Sequence, residues 1–377
     1  MSVLFSITYF VPYVSGLTIC VSRLVDHLSQ KHHTTVLTMQ HDPALPRTEK
    51  NANRSIVRAV PMLKISKGFL SFDWIFQAYK QARINDVIVI NLPQLEGIMP
   101  ALFAKLFNKR IVAIVHCEIQ LPKGLMNQCI GAILSFSHVI TLALADQIVT
   151  YTEDYRDHIS MFNRVREKTI AILPPVPTPG INQTVEKRLK KQIGDASLII
   201  GISSRLAAEK GIEYVLEAIP HITKAWNGSF KIVMAGPLNP VGEEAYKKKI
   251  FSLVRSYSDQ VIFLDTLSQD EIGAFYHLLD VLVLPSLNST EAFGMVQVEA
   301  MLCGVPVIAT DLPGVRVPVQ LTGMGRIIPR HSATAIAEAV IDVVKHKKEY
   351  IKSNTKIREI FSLQKTFSAY KTVLNIV

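Results

Sequence analysis

The stretch Val281–Ala309 constrains the fold more than any other part of the chain. It begins with VLVL (Val281–Leu284), a continuous apolar run that is typical of a strand buried on both faces. A polar loop follows, and then a helix is predicted from about Gly294 to Cys303 with one apolar stripe toward the core. The run Val305–Ala309 predicts the next strand. Strand, loop, helix and strand in this order form one unit of a parallel α/β sheet.

Two carboxylates make this unit unusual. Glu291 lies in the loop before the helix, and Glu299 lies in its second turn. The N–H groups of Ala292–Met295 are expected to be unpaired at the helix N-terminus, where a phosphate can bind. Apolar neighbours should leave Glu299 half buried, and vicinal sugar hydroxyls are suitable donors for it. The residues alone also allow Glu291 to complement the helix dipole and Glu299 to be a solvated helix residue.

The segment EAFGMVQVEAMLCGVPVIATD, which starts at Glu291, resembles the E-x7-E element of the retaining glycosyltransferases of family four. The resemblance includes Pro285-Ser286 before it and Gly304-Val305-Pro306 within it. It implies the α/β GT-B fold, in which two Rossmann-like domains with parallel sheets face each other across a cleft and the C-terminal helix crosses back to the first domain. The donor-binding residues that it implies here are Glu291, Ala292, Phe293, Gly294, Met295, Val296 and Glu299.

A pair of cations follows the predicted strand Leu198–Ile202. Arg205 can bind a diphosphate with two parallel hydrogen bonds, and Lys210 can act as a point charge. A solvated loop would account for the same two residues. The segment, however, resembles the R-x-x-x-x-K-G element of the family, in which both residues contact the donor's diphosphate.

A second loop is predicted to border the nucleotide base. It follows the predicted strand Val261–Leu264 and reads Asp265-Thr266-Leu267. The resemblance makes Thr266 and Leu267 donor-binding residues. The family usually has glycine where Asp265 stands, so the identity of the base stays open.

Two residues of the first half of the chain are candidates for the functional site. Gly16 follows the predicted strand Val3–Thr8 and opens a helix, where a glycine allows a ligand close to the backbone or serves as an ordinary turn residue. The family's first loop usually has two adjacent glycines, and with Ser15 here only Gly16 is carried over as a donor-binding residue. His116 ends the predicted strand Ile111–His116 at the edge where α/β folds bind ligands. It suits a structural hydrogen bond or, by resemblance, a place near the transferred sugar.

The proline-rich segment Leu173–Gly180 (LPPVPTPG) cannot pair as a central strand and predicts the domain boundary. The 377 residues suffice for two domains of ordinary size. We expect an N-terminal Rossmann-like acceptor-binding domain (1–177), a C-terminal Rossmann-like nucleotide-sugar-binding domain (178–361) and a terminal helix (362–377) that packs back on the first domain. No G-x-G-x-x-G follows the first strand, which argues against a nicotinamide or flavin domain.

Charge and hydropathy indicate an anionic partner. The net charge of +10 suits a nucleotide, a phospholipid surface or nucleic acid, but no aromatic-basic platform or helix-turn-helix pattern supports nucleic acid. Apolar residues make up 49% of the chain, and the cations Lys105, Lys109, Arg110 and Lys123 surround apolar helical runs. Such segments can lie on an anionic membrane or simply form a solvated basic face.

The expected location is the cytoplasm, peripheral on the inner face of the cell membrane. The four cysteines have neither zinc-site nor disulfide spacing, and the first residues read as a strand rather than a secretory signal. Polar residues interrupt the apolar stretch Gly124–Leu144, so it is predicted to be a buried or interfacial helix.

The sequence thus predicts a retaining glycosyltransferase of the hexosyltransferase type, with a UDP- or GDP-sugar as co-substrate, no tightly bound cofactor and no metal. The expected acceptor is a lipid-linked or cell-envelope glycan precursor. The predicted catalytic residues are Glu291, His116, Arg205 and Lys210. The alternative is a nucleotide-sugar epimerase of the same fold, which would turn over without an acceptor. A non-catalytic binding protein has little support, because the donor residues are intact.

Overall fold

The computed structural model describes residues 1–65, 68–121, 124–240 and 242–376. It divides into two compact units, Met1–Pro175 with the segment from Leu363 onward, and Val176–Ser362. The first division falls inside the proline-rich segment, two residues before the predicted boundary.

The first unit is built on an eight-stranded sheet with the order β10-β9-β8-β7-β1-β2-β4-β3. All neighbouring strands are parallel except β3, which pairs antiparallel with β4. Its elements are β1 (Ser2–Ser6), α1 (Gly16–Leu28), β2 (His33–Met39), β3 (Thr48–Asn51), β4 (Arg54–Ala59), β5 (Leu63–Ile65), β6 (Gly68–Leu70), α2 (Phe72–Ile84), β7 (Val87–Leu92), α3 (Ile98–Leu106), β8 (Arg110–Val115), α4 (Leu125–Leu144), β9 (Gln147–Thr150), α5 (Glu153–His158) and β10 (Thr169–Ala171).

The second unit contains a six-stranded, fully parallel sheet with the order β13-β12-β11-β14-β15-β16. Its elements are α6 (Gln183–Ile193), β11 (Leu198–Ser203), α7 (Ile212–Glu217), α8 (Ile219–Ala225), β12 (Phe230–Ala235), α9 (Glu244–Val254), β13 (Val261–Phe263), α10 (Ile272–His277), β14 (Val281–Leu284), α11 (Met295–Leu302), β15 (Val307–Thr310), α12 (Val317–Thr322), β16 (Gly325–Ile328), α13 (Ala333–Lys345), α14 (Lys347–Tyr350) and α15 (Asn354–Ile360).

Both sheets are buried on their two faces by helices, which explains the continuous apolar runs of the central strands. Every residue of β14 and of β7 is buried. The prediction of two Rossmann-like domains with parallel sheets is therefore confirmed.

The last helix, α16 (Leu363–Leu374), packs on the first unit. The Phe367 ring stacks on His27 with 3.9 Å between ring centroids, and Thr366 Oγ1 donates to the Leu173 carbonyl at 3.2 Å. Arg110 donates from Nε and Nη2 to the Val373 carbonyl at 3.1 and 2.9 Å. Sequence-distant segments thus complete one unit.

Two helical regions of the second unit are each divided in two. The region from Ile212 to Ala225 forms α7 and α8, because Pro220 lies in the first turn of α8 and cannot continue a preceding helix. The region from Lys347 to Ile360 forms α14 and α15. Ser353 begins α15 by accepting the Lys356 N–H at 3.3 Å.

Two of the predicted membrane-facing cations are held within the first unit. Lys105 Nζ lies 2.8 Å from Asp146 Oδ1, and Arg110 binds the last helix as described. Lys123 lies outside the described residues. Lys105 still has 44% of its side chain exposed, and a membrane contact of these cations stays a prediction.

Candidate active site

The predicted donor-binding loops of the second unit emerge from one edge of its sheet. β11 lies between β12 and β14, so the strand order reverses there, and ligands of open α/β sheets bind outside the carboxyl ends of strands at such a point. The loop after β11 carries Arg205 and Lys210, and the loop after β14 carries Glu291. Thr266 and Leu267 follow β13 at the same edge.

Lys210 and Glu291 join the two central loops. Lys210 Nζ lies 2.5 Å from Glu291 Oε2, and each side chain is 17% exposed. Gly211, the next residue, has φ of +64°, and a Cβ there would lie 2.4 Å from the Pro285 carbonyl oxygen. Glycine after the lysine thus lets the loop after β11 approach the backbone of the loop after β14.

Arg205 pairs with Glu209 one helical turn later in the same loop. The Glu209 carbonyl in turn accepts the Leu287 N–H at 2.9 Å, which ties this loop again to the one after β14. Gly236 approaches from β12, where a Cβ would lie 2.1 Å from the Ser204 carbonyl oxygen. Backbone contacts therefore hold the loop on both sides of Arg205, at Ser204 and at Glu209.

Helix α11 begins at Met295, after Gly294 in the left-handed region (φ +76°), and no side chain caps it. The first N–H groups of a helix have no acceptor within it, so those of Met295 and Val296 can serve a ligand. The side chains of Ala292 and Phe293 are buried.

Gln297, which the sequence analysis missed, holds this N-terminus in place. The buried Gln297 Nε2 donates to the Phe293 carbonyl at 2.8 Å and to the Val315 carbonyl at 2.9 Å. The sequence did contain a signal for this role. Gln297 lies among apolar helix residues, and a buried polar side chain in such a place needs hydrogen-bond partners.

Glu299 is 8% exposed, so it is buried rather than half buried as predicted. The Tyr276 hydroxyl donates to Glu299 Oε2 at 3.0 Å and lies 3.3 Å from Ser203 Oγ. Burial, followed by the nearby Glu299, raises the pKa of Tyr276 well above its usual value. Tyr276 was not a predicted site residue, since it lies on the short helix α10, for which no helix was predicted.

The loop after β13 has a left-handed residue where the family usually has glycine. Asp265 has φ of +60°, its Oδ1 accepts the Thr266 N–H at 2.8 Å, and its carbonyl accepts the Gly236 N–H at 2.8 Å. An aspartate tolerates this conformation better than most residues because its short side chain can bond locally. Thr266 is exposed and Leu267 is half buried.

The two candidates of the first unit differ in exposure. Gly16 is the exposed first residue of α1, which Ser15 caps by accepting the Thr18 N–H at 3.2 Å. His116 is only 4% exposed and directly follows β8.

Both ring nitrogens of His116 have partners. Asn91 Nδ2 donates to the Ser6 carbonyl at 3.1 Å, so Asn91 Oδ1 faces His116 Nε2 at 2.9 Å and accepts from it. His116 Nδ1 then accepts from the Tyr151 hydroxyl at 2.5 Å. Burial lowers the pKa of His116 to about 3, so the ring is neutral. These contacts favour the structural alternative, and a catalytic role for His116 stays a prediction.

A groove of about 580 Å³ lies in the first unit beside β2, β4 and α2. Its lining includes Lys50, Ser55, Lys80 and Gln81, and none of the predicted site residues. Within the described ranges, no group of three or more His, Cys, Asp or Glu side chains is placed to hold a metal ion.

Comparison with known proteins identifies both halves of the chain. Residues 14–178 match the family described as Glycosyltransferase Family 4, and residues 184–359 match Glycosyl transferases group 1. An uncharacterised glycosyltransferase of Methanocaldococcus jannaschii is 25% identical, covering 92% of this chain and 89% of its own length. A 2-deoxystreptamine glucosyltransferase of Streptomyces kanamyceticus is 26% identical, covering 72% and 75%.

Solved structures share the fold. Sucrose-phosphate synthase from Thermosynechococcus elongatus has a TM-score of 0.79 at 18% identity, covering 99% of this chain and 98% of its own. Anabaena HepE in complex with UDP-glucose has a TM-score of 0.75 at 16% identity, with all of both chains covered. The family matches give no support to the epimerase alternative. The chain therefore belongs to the glycosyltransferases of family four and group 1, with the GT-B fold.

Proposed function

We propose that the protein is a retaining glycosyltransferase of the hexosyltransferase type, which moves a sugar from a UDP- or GDP-sugar to a lipid-linked or cell-envelope glycan precursor. The observation that carries this proposal is the ion pair of Lys210 and Glu291, which joins two loops at the reversal of strand order. It sets a cation and a carboxylate beside the N-terminus of α11, where phosphates and sugar hydroxyls have suitable partners.

The donor's nucleoside is assigned to Glu299. Its carboxylate already accepts from Tyr276 in a buried setting, and the vicinal hydroxyls of the ribose are proposed as further donors. A buried carboxylate is stabilised by hydrogen-bond donors, so the ribose diol is a suitable ligand for Glu299. Thr266 and Leu267 are proposed to border the base.

The diphosphate is assigned to Arg205, Lys210 and the first N–H groups of α11. Negative charge builds on the departing diphosphate as the glycosidic bond breaks, and fixed cations stabilise that charge most. Glu291 is proposed to hold hydroxyls of the transferred sugar. Attack on the same face, assisted by the leaving phosphate, then retains the configuration of the sugar.

The choice of a uridine nucleotide is supported by the fold relatives, since HepE was solved with UDP and with UDP-glucose. A glucosyltransferase among the sequence relatives supports a hexose donor. We propose a cytoplasmic protein, peripheral on the inner face of the cell membrane, where a lipid-linked acceptor would be reached.

The test is the thermal stability of the purified protein with a panel of UDP-, GDP- and ADP-sugars. A ligand at roughly 100 times its dissociation constant adds about 2.7 kcal/mol to the free energy of unfolding. We expect one nucleotide class to stabilise the wild type and to stabilise Glu299→Gln much less. Glu338→Gln, an exposed glutamate of α13, is the matched control and should respond like the wild type. A panel without any response would contradict the donor site.

A further inference from the structure

Helices α2, α3 and α4 form one layer on the first sheet. Each helix lies in a connection between parallel strands that leads toward the β10 edge of the sheet. Such connections are right-handed, so those that run in the same direction place their helices on the same face of the sheet. α2 packs on α3, and α3 packs on α4. The outward sides of these three helices therefore form one continuous surface.

The outward side of α2 is an apolar stripe. Phe72, Ile75, Phe76 and Tyr79 follow the i, i+3, i+4, i+7 spacing that is normally buried, yet all four are exposed, Phe72 by 74%. The inward side of the same helix is buried through Trp74 and its neighbours. Helix α2 is thus apolar on both sides, although only one side is covered.

The stripe continues onto the neighbouring helices. Leu102 and Leu106 are exposed on α3, and Leu125 (80%) and Phe136 (66%) are exposed on α4. α4 has no Asp, Glu, Lys or Arg in its twenty residues. Patches of this kind mark interaction surfaces. We call it the outer apolar surface: Phe72, Ile75, Phe76, Tyr79, Leu102, Leu106, Leu125, Met126, Ile133, Phe136 and Val139.

The charges beside this surface are positive. Lys80 and Arg83 are exposed at the end of α2, and among the described residues neither has a carboxylate within ion-pair distance. The carboxylate of α2, Asp73, is held by Arg47 at 2.5 Å and by the Val60 N–H at 2.9 Å. An apolar surface bordered by free cations is complementary to an anionic lipid bilayer.

We infer that the outer apolar surface lies on an anionic lipid bilayer, with Lys80 and Arg83 at the headgroups. The inference rests on the peripheral membrane location proposed above and adds the residues that make the contact. It depends neither on the sugar transferred nor on the donor site. The long side chains of these two cations can reach the headgroups while their stems stay among apolar side chains.

The bilayer contact is in the plane of the interface. Among the described residues, α4 is long and apolar enough to cross a membrane by length and composition. Its inner side, however, is tied to the unit, because Ser137 Oγ donates to the Leu95 carbonyl at 2.5 Å and His138 Nε2 accepts the Gln94 N–H at 3.2 Å. Crossing the bilayer would break both bonds, whereas lying on it breaks neither.

The experiment is co-sedimentation of the full chain with vesicles of phosphatidylcholine alone and with roughly a third of phosphatidylglycerol. The wild type should pellet with the anionic vesicles. Phe76→Glu with Phe136→Glu should lower the partition coefficient at least about tenfold, since two exposed rings that would enter the bilayer become charged groups. Lys80→Glu with Arg83→Glu should lower it by a similar factor.

Matched controls separate the surface from general effects. Ile181→Glu changes an exposed apolar residue of the second unit, and Lys187→Glu with Lys191→Glu makes the same change of charge on α6. Both should pellet like the wild type, and all variants should keep the wild-type melting temperature. Wild type that stays in the supernatant, or surface variants that pellet fully, would overturn the inference. A dimer in light scattering that Phe136→Glu dissociates would assign the surface to a second copy and overturn it as well.

Discussion

Lys210 Nζ and Glu291 Oε2 lie 2.5 Å apart across two loops of the second unit, 81 positions apart in sequence. The pair is mostly buried, so removing one partner leaves the other charge without compensation. When the donor binds, Lys210 can form a second ion pair with the diphosphate, and Glu291 can accept hydrogen bonds from sugar hydroxyls. The pair therefore fixes the geometry of the loops before the donor binds.

Replacing Lys210 with methionine should lower turnover at least about a hundredfold, because the charge on the leaving diphosphate loses a fixed cation. The measurement is sugar transfer or donor hydrolysis under saturating donor. Lys224→Met, an exposed lysine of α8, is the control and should keep wild-type turnover. A loss of less than about threefold in Lys210→Met would remove Lys210 from the proposed mechanism.

Two glycines at opposite ends of α11 should differ sharply on replacement by alanine. Gly294 and Gly304 have nearly equal φ values of +76° and +81°, so alanine has the same left-handed strain at both, about 1–2 kcal/mol. At Gly294, however, a Cβ would lie 2.4 Å from Leu284 Cδ2 and 2.8 Å from Gln297 Nε2, whereas nothing lies within 4 Å at Gly304.

The free energy of unfolding in urea should therefore fall by about 1–3 kcal/mol more for Gly294→Ala than for Gly304→Ala. Gly294→Ala should also weaken donor binding, because it displaces the amides at the start of α11. Equal destabilisation of the two variants would show that the close contacts at Gly294 do not contribute to the loss of stability in Gly294→Ala.

Local patterns predicted the sheets because both are buried, and buried strands are continuous apolar runs. Val281–Leu284 is an observed strand with the predicted bounds. The antiparallel strand β3 escaped prediction because its sequence, TEKN, is polar and exposed, without apolar alternation. The hairpin of β5 and β6 escaped for a related reason, since strands of three residues are too short for a period to appear.

The sequence predicted only those residues of the candidate site that are charged and lie within a sequence element of the family. Arg205, Lys210, Glu291 and Glu299 were named from such elements. The hydrogen bond from Tyr276 to Glu299 joins α10 to α11, and the bonds of Gln297 join α11 to the segment around Val315. Such contacts depend on tertiary packing, which has no local signature.

Cysteine reactivity should separate the thiols by burial. Burial raises the pKa of Cys20 to about 11, and burial with the nearby Glu299 raises that of Cys303 to about 12. Little thiolate exists at pH 8 for either, and thiolate is the reactive form. Cys129 is exposed on α4. A thiol reagent at pH 8 should modify Cys129 much faster than Cys20 and Cys303, as peptide mass spectrometry would show.

Cys129→Ser is the matched variant and should remove that fast labelling while leaving the slow sites unchanged. Labelling of Cys303 in the native protein at the rate of Cys129 would contradict the raised pKa of Cys303, whose half-buried thiol lies near Glu299.

The stability of the first unit should fall as pH drops below about 6.5. Burial lowers the pKa of His116 to about 3 and that of His138 to about 4, while the unfolded chain restores values near 6.5. Between these values the unfolded state binds more protons, so the free energy of unfolding rises with pH by up to about 1.4 kcal/mol per pH unit for each histidine. Above pH 6.5 both rings are neutral in both states, and their contribution is constant.

The measurement is urea unfolding from pH 4.5 to 7.5 for the wild type, His116→Gln and the control His221→Gln, an exposed residue of the second unit. Carboxylates contribute equally to all three curves, so the difference in slope reports the histidine alone. His116→Gln should be less stable at pH 7.5, since glutamine cannot reproduce both ring contacts, but its stability should fall less steeply toward pH 4.5. A slope equal to that of the wild type would mean that His116 takes up its proton in the folded state, and that the contacts with Asn91 and Tyr151 do not hold it neutral.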